Sequence, residues 1–179
     1  MRKLFAGILL LMLVAAVACD SLDEQFTFYL NRERELVIAP NIAAGKPTEL
    51  APITILTRAD TTFRSHRTRA ELVKEITLDK FVLSIKDSSG TDFDFLERVE
   101  VFMSADTLAE VRVAYLEDVP ANDTTLNFAI NLNLTNARVD DFLKGEKYTI
   151  RTRAVLRKSV TKDVKVTANA RFRAIADPI

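Results

Sequence analysis

The chain has 179 residues, with 25 basic and 25 acidic side chains, one histidine, one cysteine, eleven phenylalanines and no tryptophan. That balance lacks the basic excess expected of a nucleic-acid partner, and four glycines leave little for a phosphate-cradling loop. At 48% hydrophobic residues, and patterned throughout, the chain is too apolar to be disordered.

The elements begin with an apolar run. Arg2 and Lys3 precede Leu4 to Ala18, fifteen uncharged residues. As a helix the run would reach about 22 Å, short of the roughly 30 Å hydrocarbon core of a bilayer. A basic start, an apolar centre and small residues at the end describe a secretory signal peptide over residues 1–18. Cys19, the sole cysteine, follows at once. A competing reading is an ordinary secreted protein cut after Ala16-Val17-Ala18, with a chance cysteine at the cut. No second cysteine exists to pair with it, so an exported thiol there otherwise lacks a purpose.

The stretch "LVAAVAC" (residues 13–19) resembles the lipobox of bacterial lipoproteins, with Ala16 where most lipoboxes carry Leu. The resemblance implies a Cys19 carrying several acyl chains, and two or more chains hold stably in a membrane. Asp20 is the residue that in enterobacterial lipoproteins tends to retain the protein at the inner membrane. The segment "CDSLDE" instead resembles the acidic export signals of Bacteroidetes surface lipoproteins. "DSL" (20–22), "DTT" (60–62), "DTL" (106–108) and "DTT" (123–125) resemble that phylum's O-glycosylation sequon, although Asp-Thr pairs are also common turn residues. The expected location is the cell envelope, lipid-anchored at the outer membrane on its surface or periplasmic face. Removing residues 1–18 takes Arg2 and Lys3, leaving 23 basic and 25 acidic side chains and a net charge of −2. Residues 19–25 read as an anchor linker and 26–179 as one domain.

Past the linker the dominant period is two, the signature of strands with one apolar face. In chain order the runs are "FTFYL" (26–30), "PITIL" (52–56), "LVKEITL" (72–78), "FVLSI" (81–85), "VEVFM" (99–103) and "VRVAY" (111–115). "LNFAINLNL" (126–134), "YTIRTRAVL" (148–156) and "VKVTANARFRA" (164–174) follow. Inward-facing sets include Leu72, Ile76 and Leu78; Phe81, Leu83 and Ile85; Val111, Val113 and Tyr115; and Leu126, Phe128, Ile130, Leu132 and Leu134. Eight to ten such strands, without long helices to cover them, predict an all-β fold of two packed antiparallel sheets, a β-sandwich. "SADTLAE" (104–110) reads as a hairpin. One short helix is expected in "NARVDDFLKG" (136–145), capped by Asn136, ended by Gly145, and apolar along Val139, Phe142 and Leu143. A capping box at "TRAE" (68–71) is set aside because the residues after it alternate like a strand. Residues 31–70, with the patch "RERE" (32–35), read as looser edge strands.

"FDFLERVEVFMSADTLAEVRVAYLEDVP" (93–120) and "FLKGEKYTI" (142–150) are similar to a group of uncharacterised Bacteroidetes lipoproteins. The resemblance covers most of residues 70–177. It implies an immunoglobulin-like sandwich and carries no known activity.

Catalytic chemistry is scarce. His66 stands alone between arginines in "FRSHRTR" and reads as a solvated loop residue, since a metal site or triad wants partners. Asp92, Asp94, Glu97 and Glu100 could pair as glycosidase carboxylates, but a solvated strand face explains them. "DSSGTDFD" (87–94) has oxygen ligands for Ca²⁺, yet Gly90 falls at the fourth position where an EF-hand loop has Gly at the sixth, and a turn explains the segment as well. No enzyme activity, cofactor or metal is expected. The final two strands, expected to pair through "RKSVTKD" (157–163), would align Arg151, Arg153, Arg157, Lys165, Arg171 and Arg173 in one positive stripe. Like charges opposite one another cost stability. The stripe therefore calls either for interleaved Glu97, Glu100 and Glu110 or for an anionic ligand such as lipopolysaccharide phosphate, an acidic glycan or an acidic protein patch. The resulting expectation is a non-enzymatic envelope binding or scaffolding module with an envelope-protein or anionic-glycan partner. A glycan or nutrient recognition lipoprotein beside an outer-membrane transporter is the alternative.

Overall fold

The structure, a computed structural model, describes residues 27–86, 91–120 and 128–177. Cys19 and the signal-like run, the tripeptides at 20–22 and 123–125, and Leu126 lie outside these residues. The described residues form ten strands in two antiparallel sheets, the expected β-sandwich. One sheet holds β1 (Thr27–Ile38), β10 (Val164–Ala176), β4 (Val73–Ile85) and β7 (Ala129–Asn131), in that order. In the other, β9 (Lys147–Leu156), β5 (Leu96–Ala105), β6 (Leu108–Leu116) and β8 (Asn133–Leu134) are neighbours in turn, and the short β2 (Pro47–Glu49) and β3 (Ile53–Leu56) share the outer edge of β9. The first strand pairs with the last, whereas the constant-type immunoglobulin order sets its first strand in an A-B-E-D sheet.

Side chains from the two inner faces meet in one core that includes Ile76, Phe81, Val101, Met103, Tyr148 and Phe172, all 5% exposed or less. Two of the predicted runs are one strand. Ile76 and Leu78 face the core on one parity and Phe81, Leu83 and Ile85 on the other. The phase changes because Asp79 is an extra residue in β4: Phe172 pairs with Leu78 and Arg171 with Lys80. This is a β-bulge, which resets which side chains face inward. A second irregularity, at Val113, turns Tyr115 outward opposite Glu100, against the inward orientation expected of it. The predicted hairpin is present, with Ala105 paired to Leu108 across Asp106 and Thr107.

The segment "LNFAINLNL" does not form one strand. β7 pairs with β4 in one sheet and β8 with β6 in the other. The chain crosses between sheets at Leu132, closing that side of the sandwich, and Phe128 is 37% exposed rather than inward. The opposite side is bounded by β1 in one sheet and by β2 and β3 in the other. The fold therefore has a closed side and an open one.

Among the described residues there are two short helices where one was expected. α1 (Ala59–Ser65) was not legible as a helix: it has no side-chain cap, and its Arg58 entry residue is left-handed. Tertiary contact holds it, through Phe63 at 1% exposure. α2 (Asp140–Lys144) lies inside the predicted segment and buries Phe142 and Leu143 as expected, with Val139 at 0% exposure just before it. Its start is later than predicted. Asn136 takes a left-handed turn (φ 57°) and Val139 occupies the cap position. Residues 70–72 form a 3₁₀ turn leading into β4. Both helices pack at the end of the sandwich that holds Thr27 and Asp177. There Thr57 N–H donates to Glu146 O at 2.9 Å, Lys144 Nζ donates to Val73 O at 2.6 Å, and Asp177 N–H donates to Leu72 O at 2.8 Å.

Candidate functional site

The expected stripe of six basic residues does not form, because β9 and β10 are not a hairpin. β9 already has β5 on one edge and β2 and β3 on the other, while β10 lies between β1 and β4. The connection at 157–163 therefore crosses from one sheet to the other. Arg151 and Arg153 end up on the outer face of the β9 sheet, and Lys165, Arg171 and Arg173 on the outer face of the β10 sheet.

Acidic neighbours interleave on both faces, the first of the two arrangements that the charge pattern allows. Arg153 Nε donates to Glu49 Oε1 at 2.8 Å, Arg151 bonds Glu110, and Arg112 Nη1 donates to Glu100 Oε1 at 2.7 Å. Three arginines thus mesh with three glutamates, and the patch is formally neutral. The guanidinium of Arg112 covers the Tyr115 ring at 4.5 Å, and that of Arg153 covers Phe102 at 5.2 Å. Glu97, expected to join them, instead uses its backbone carbonyl to accept from Val119 N–H. On the other sheet Lys165 lies 3.8 Å from Glu35, and Arg171 bonds Asp79 and covers the Tyr29 ring at 5.2 Å. Arg173 shares that face, opposite Tyr29.

Arg157 belongs to neither face. Its Nη1 donates to Asp94 O and Leu96 O, both at 3.0 Å, and its Nη2 donates to Val119 O at 2.7 Å. Its three carbonyl partners lie on two backbone segments, 94–96 and 119, which it clamps at the far end of the sandwich. An anionic ligand would have to displace carbonyls to reach it.

The other candidates scatter as well. His66 is exposed and stacks on Phe28, ring centroids 4.5 Å apart. Asp92 accepts from Asp94 N–H in a 3₁₀ turn, and Asp94 pairs with Lys158, far along the strand from Glu100. Of the Ca²⁺ candidate only residues 91–94 are described. No group of three or more metal-ligating side chains occurs among the described residues.

The feature that sequence reasoning missed is on β1. Leu30, Leu36 and Ile38 are buried on one parity, and Arg32 and Arg34 occupy the same parity between them. The core-facing row thus reads Leu-Arg-Arg-Leu. The signal was available: apolar alternation on either side of "RERE" extends one strand straight through it. Opposite the two arginines stand Ala170 and Ala168, small residues that leave room for the arginine stems. A narrow cavity of about 30 Å³ remains there, lined by these four residues with Ile55 and Tyr148 among others. It has space for about one water molecule, so it is a packing gap and not a ligand pocket. Tyr148 is buried beneath the arginines. Burial pushes its hydroxyl above the ordinary tyrosine range, and the positive charges of Arg32 and Arg34 only partly oppose this.

The guanidiniums leave the core at the open side. Arg32 Nη1 donates to Asn31 O at 3.1 Å and Arg34 Nη1 to Glu33 O at 2.7 Å. Arg32 Nη2 also reaches Thr62 Oγ1 on α1 at 3.5 Å. Each arginine folds over the strand edge onto the carbonyl of the preceding residue. Glu33 and Glu35, on the other face, are engaged by Lys86 at 3.3 Å and Lys165 at 3.8 Å. Neither Arg32 nor Arg34 has a carboxylate partner among the described residues. Among the described residues the site holds hydrogen-bonding backbone and two positive charges without a carboxylate partner, above the buried Tyr148 hydroxyl.

No family model matches the chain, and a search of curated proteins returned no match. Among solved structures the chain is similar to the decameric BFDV capsid protein, at 7% identity and a TM-score of 0.37 over 83% of this chain and 98% of that one. It is similar to tomato aspermy virus, at 12% identity and 0.33 over 83% and 79%, and to desmodium yellow mottle tymovirus, at 9% and 0.31 over 86% and 89%. Likenesses this distant carry no argument about what the chain does.

Proposed function

We propose that this protein is a lipid-anchored component of the bacterial cell envelope that works by binding or scaffolding another envelope component, without catalysis. The observation that carries the reading is the position of Cys19, the sole cysteine, at the junction of an apolar run and an acidic linker. The placement of the domain's first described residue fits a tether. Seven residues lie between Cys19 and Thr27, so the eight Cα–Cα steps reach at most about 29 Å. That would hold the end bearing α1 and α2 toward the bilayer and leave both outer sheet faces free. The self-paired outer face of the β9 sheet and the uncompensated edge of β1 are consistent with binding at that edge.

The test is intact mass spectrometry of the protein extracted from membranes, beside a Cys19→Ala variant. The expected wild-type product begins at Cys19 with added acyl mass and partitions into detergent, while the variant is processed poorly or released. An unmodified thiol, or retention of residues 1–18, would overturn the anchor.

A further inference from the structure

We propose that the open edge of β1 is a docking edge for an extended segment of another protein that carries carboxylates at alternate positions. The inference rests on the reading that this protein acts by binding, and it names the surface and the partner's chemistry. It starts from the edge itself. β1 is a twelve-residue strand whose single strand partner among the described residues is β10. In an antiparallel strand alternate residues turn both backbone groups toward the same neighbour. The guanidiniums on Asn31 O and Glu33 O identify the odd-numbered residues as the outward set. A long edge with unpaired backbone groups is a template for strand addition unless something blocks it. Here Arg32 and Arg34 occupy two of the outward carbonyls.

The charge pattern decides which partner fits. A second copy does not. In a twofold antiparallel pair of β1 strands, residues of equal parity stand opposite one another. With the axis at residue 33 or 34 arginines face arginines and glutamates face glutamates, with the axis at 32 or 35 Arg32 or Glu35 still faces its own copy, and like charges directly opposite destabilise the pair. A lysine-bearing strand fails on the core-facing side for the same reason. A strand with carboxylates two residues apart meets Arg32 and Arg34 and draws them off Asn31 O and Glu33 O, freeing both carbonyls for the incoming backbone. The glutamates make no competing demand, because Lys86 and Lys165 engage them. Beyond the charged centre, Tyr29 and Val37 are 46% and 43% exposed on the outer face, so apolar residues flanking the acidic pair would gain contact there.

The probe is a synthetic peptide of alternating valine and threonine with two central aspartates at positions i and i+2, beside its lysine counterpart. Both are titrated onto the full chain in detergent micelles, with amide exchange read residue by residue. The expected result is saturable binding of the acidic peptide, at least tenfold tighter than the lysine peptide and weakened by salt. Asn31 and Glu33 amides, fast to exchange in the free protein, become protected. An Arg32→Ser, Arg34→Ser double variant should lose at least tenfold in affinity, while an Arg32→Lys, Arg34→Lys variant should keep most of it. Thermal melts show whether the serine variant remains folded. Equal affinity for the two peptides, or binding that leaves Asn31 and Glu33 unprotected, overturns the proposal, as does a wild-type chain that dimerises through this edge. Each of these results leaves the acyl mass at Cys19 untouched, and a missing acyl mass leaves the peptide result standing.

Discussion

Replacing Arg157 with alanine tests whether this residue is a structural clamp or part of a ligand surface. Its guanidinium donates to three carbonyls, Asp94 O, Leu96 O and Val119 O, at 3.0, 3.0 and 2.7 Å, and the side chain is 30% exposed. A hydrogen bond with one charged partner contributes about 1.5–3 kcal/mol net when well buried. Partial exposure halves this to roughly 1 kcal/mol each, so the three together amount to about 3 kcal/mol. Asp118, 3.8 Å away and 91% exposed, adds little. For a domain of this size that loss lowers Tm by about 6–12 °C. Arg157→Lys keeps the charge but cannot hold three acceptors in one plane, and should lose about half as much. Urea denaturation of the two variants measures the difference, with an unchanged m-value expected. A loss below about 0.5 kcal/mol for Arg157→Ala, or a variant of native stability that no longer binds an anion, would show the clamp to be wrong.

Two further outcomes follow from single side chains. Phe63→Ala removes the buried residue that holds α1, a helix with no side-chain cap. It should cost about 3–5 kcal/mol, with amide exchange at Thr68, whose N–H donates to Phe63 O, rising more than in β9. Equal loosening of both would show that α1 is not a separate dependent unit. Tyr148 is held above its ordinary value of 10.0 by burial. Its folded form therefore keeps a proton that the unfolded chain gives up, and its stabilising contribution is whole below about pH 10 and is lost as the pH rises through the folded value. Tyr148→Phe should flatten the alkaline fall in stability; identical slopes for wild type and variant between pH 9 and 12 would contradict the assignment.

What the sequence determined by itself was local. Alternation in "VEVFM", "YTIRTRAVL" and "VKVTANARFRA" identified strands and their apolar faces, because a pleated chain sends successive side chains to opposite sides whatever lies beside it. The same rule, had it been carried through "RERE", would have placed Arg32 and Arg34 on the core-facing row that the structure shows. The single cysteine likewise speaks without any fold. Which strands pair was decided only by the tertiary structure. β9 and β10 adjoin in the chain yet lie in different sheets, since each already has both edges filled by strands distant in sequence. The bulge residue Asp79 and the irregularity at Val113 reverse phase through one extra residue, which no period-two pattern announces. α1 has no cap to mark it and exists through the burial of Phe63. An open edge is likewise the absence of a neighbour, a property that arises only when every other strand has taken its place.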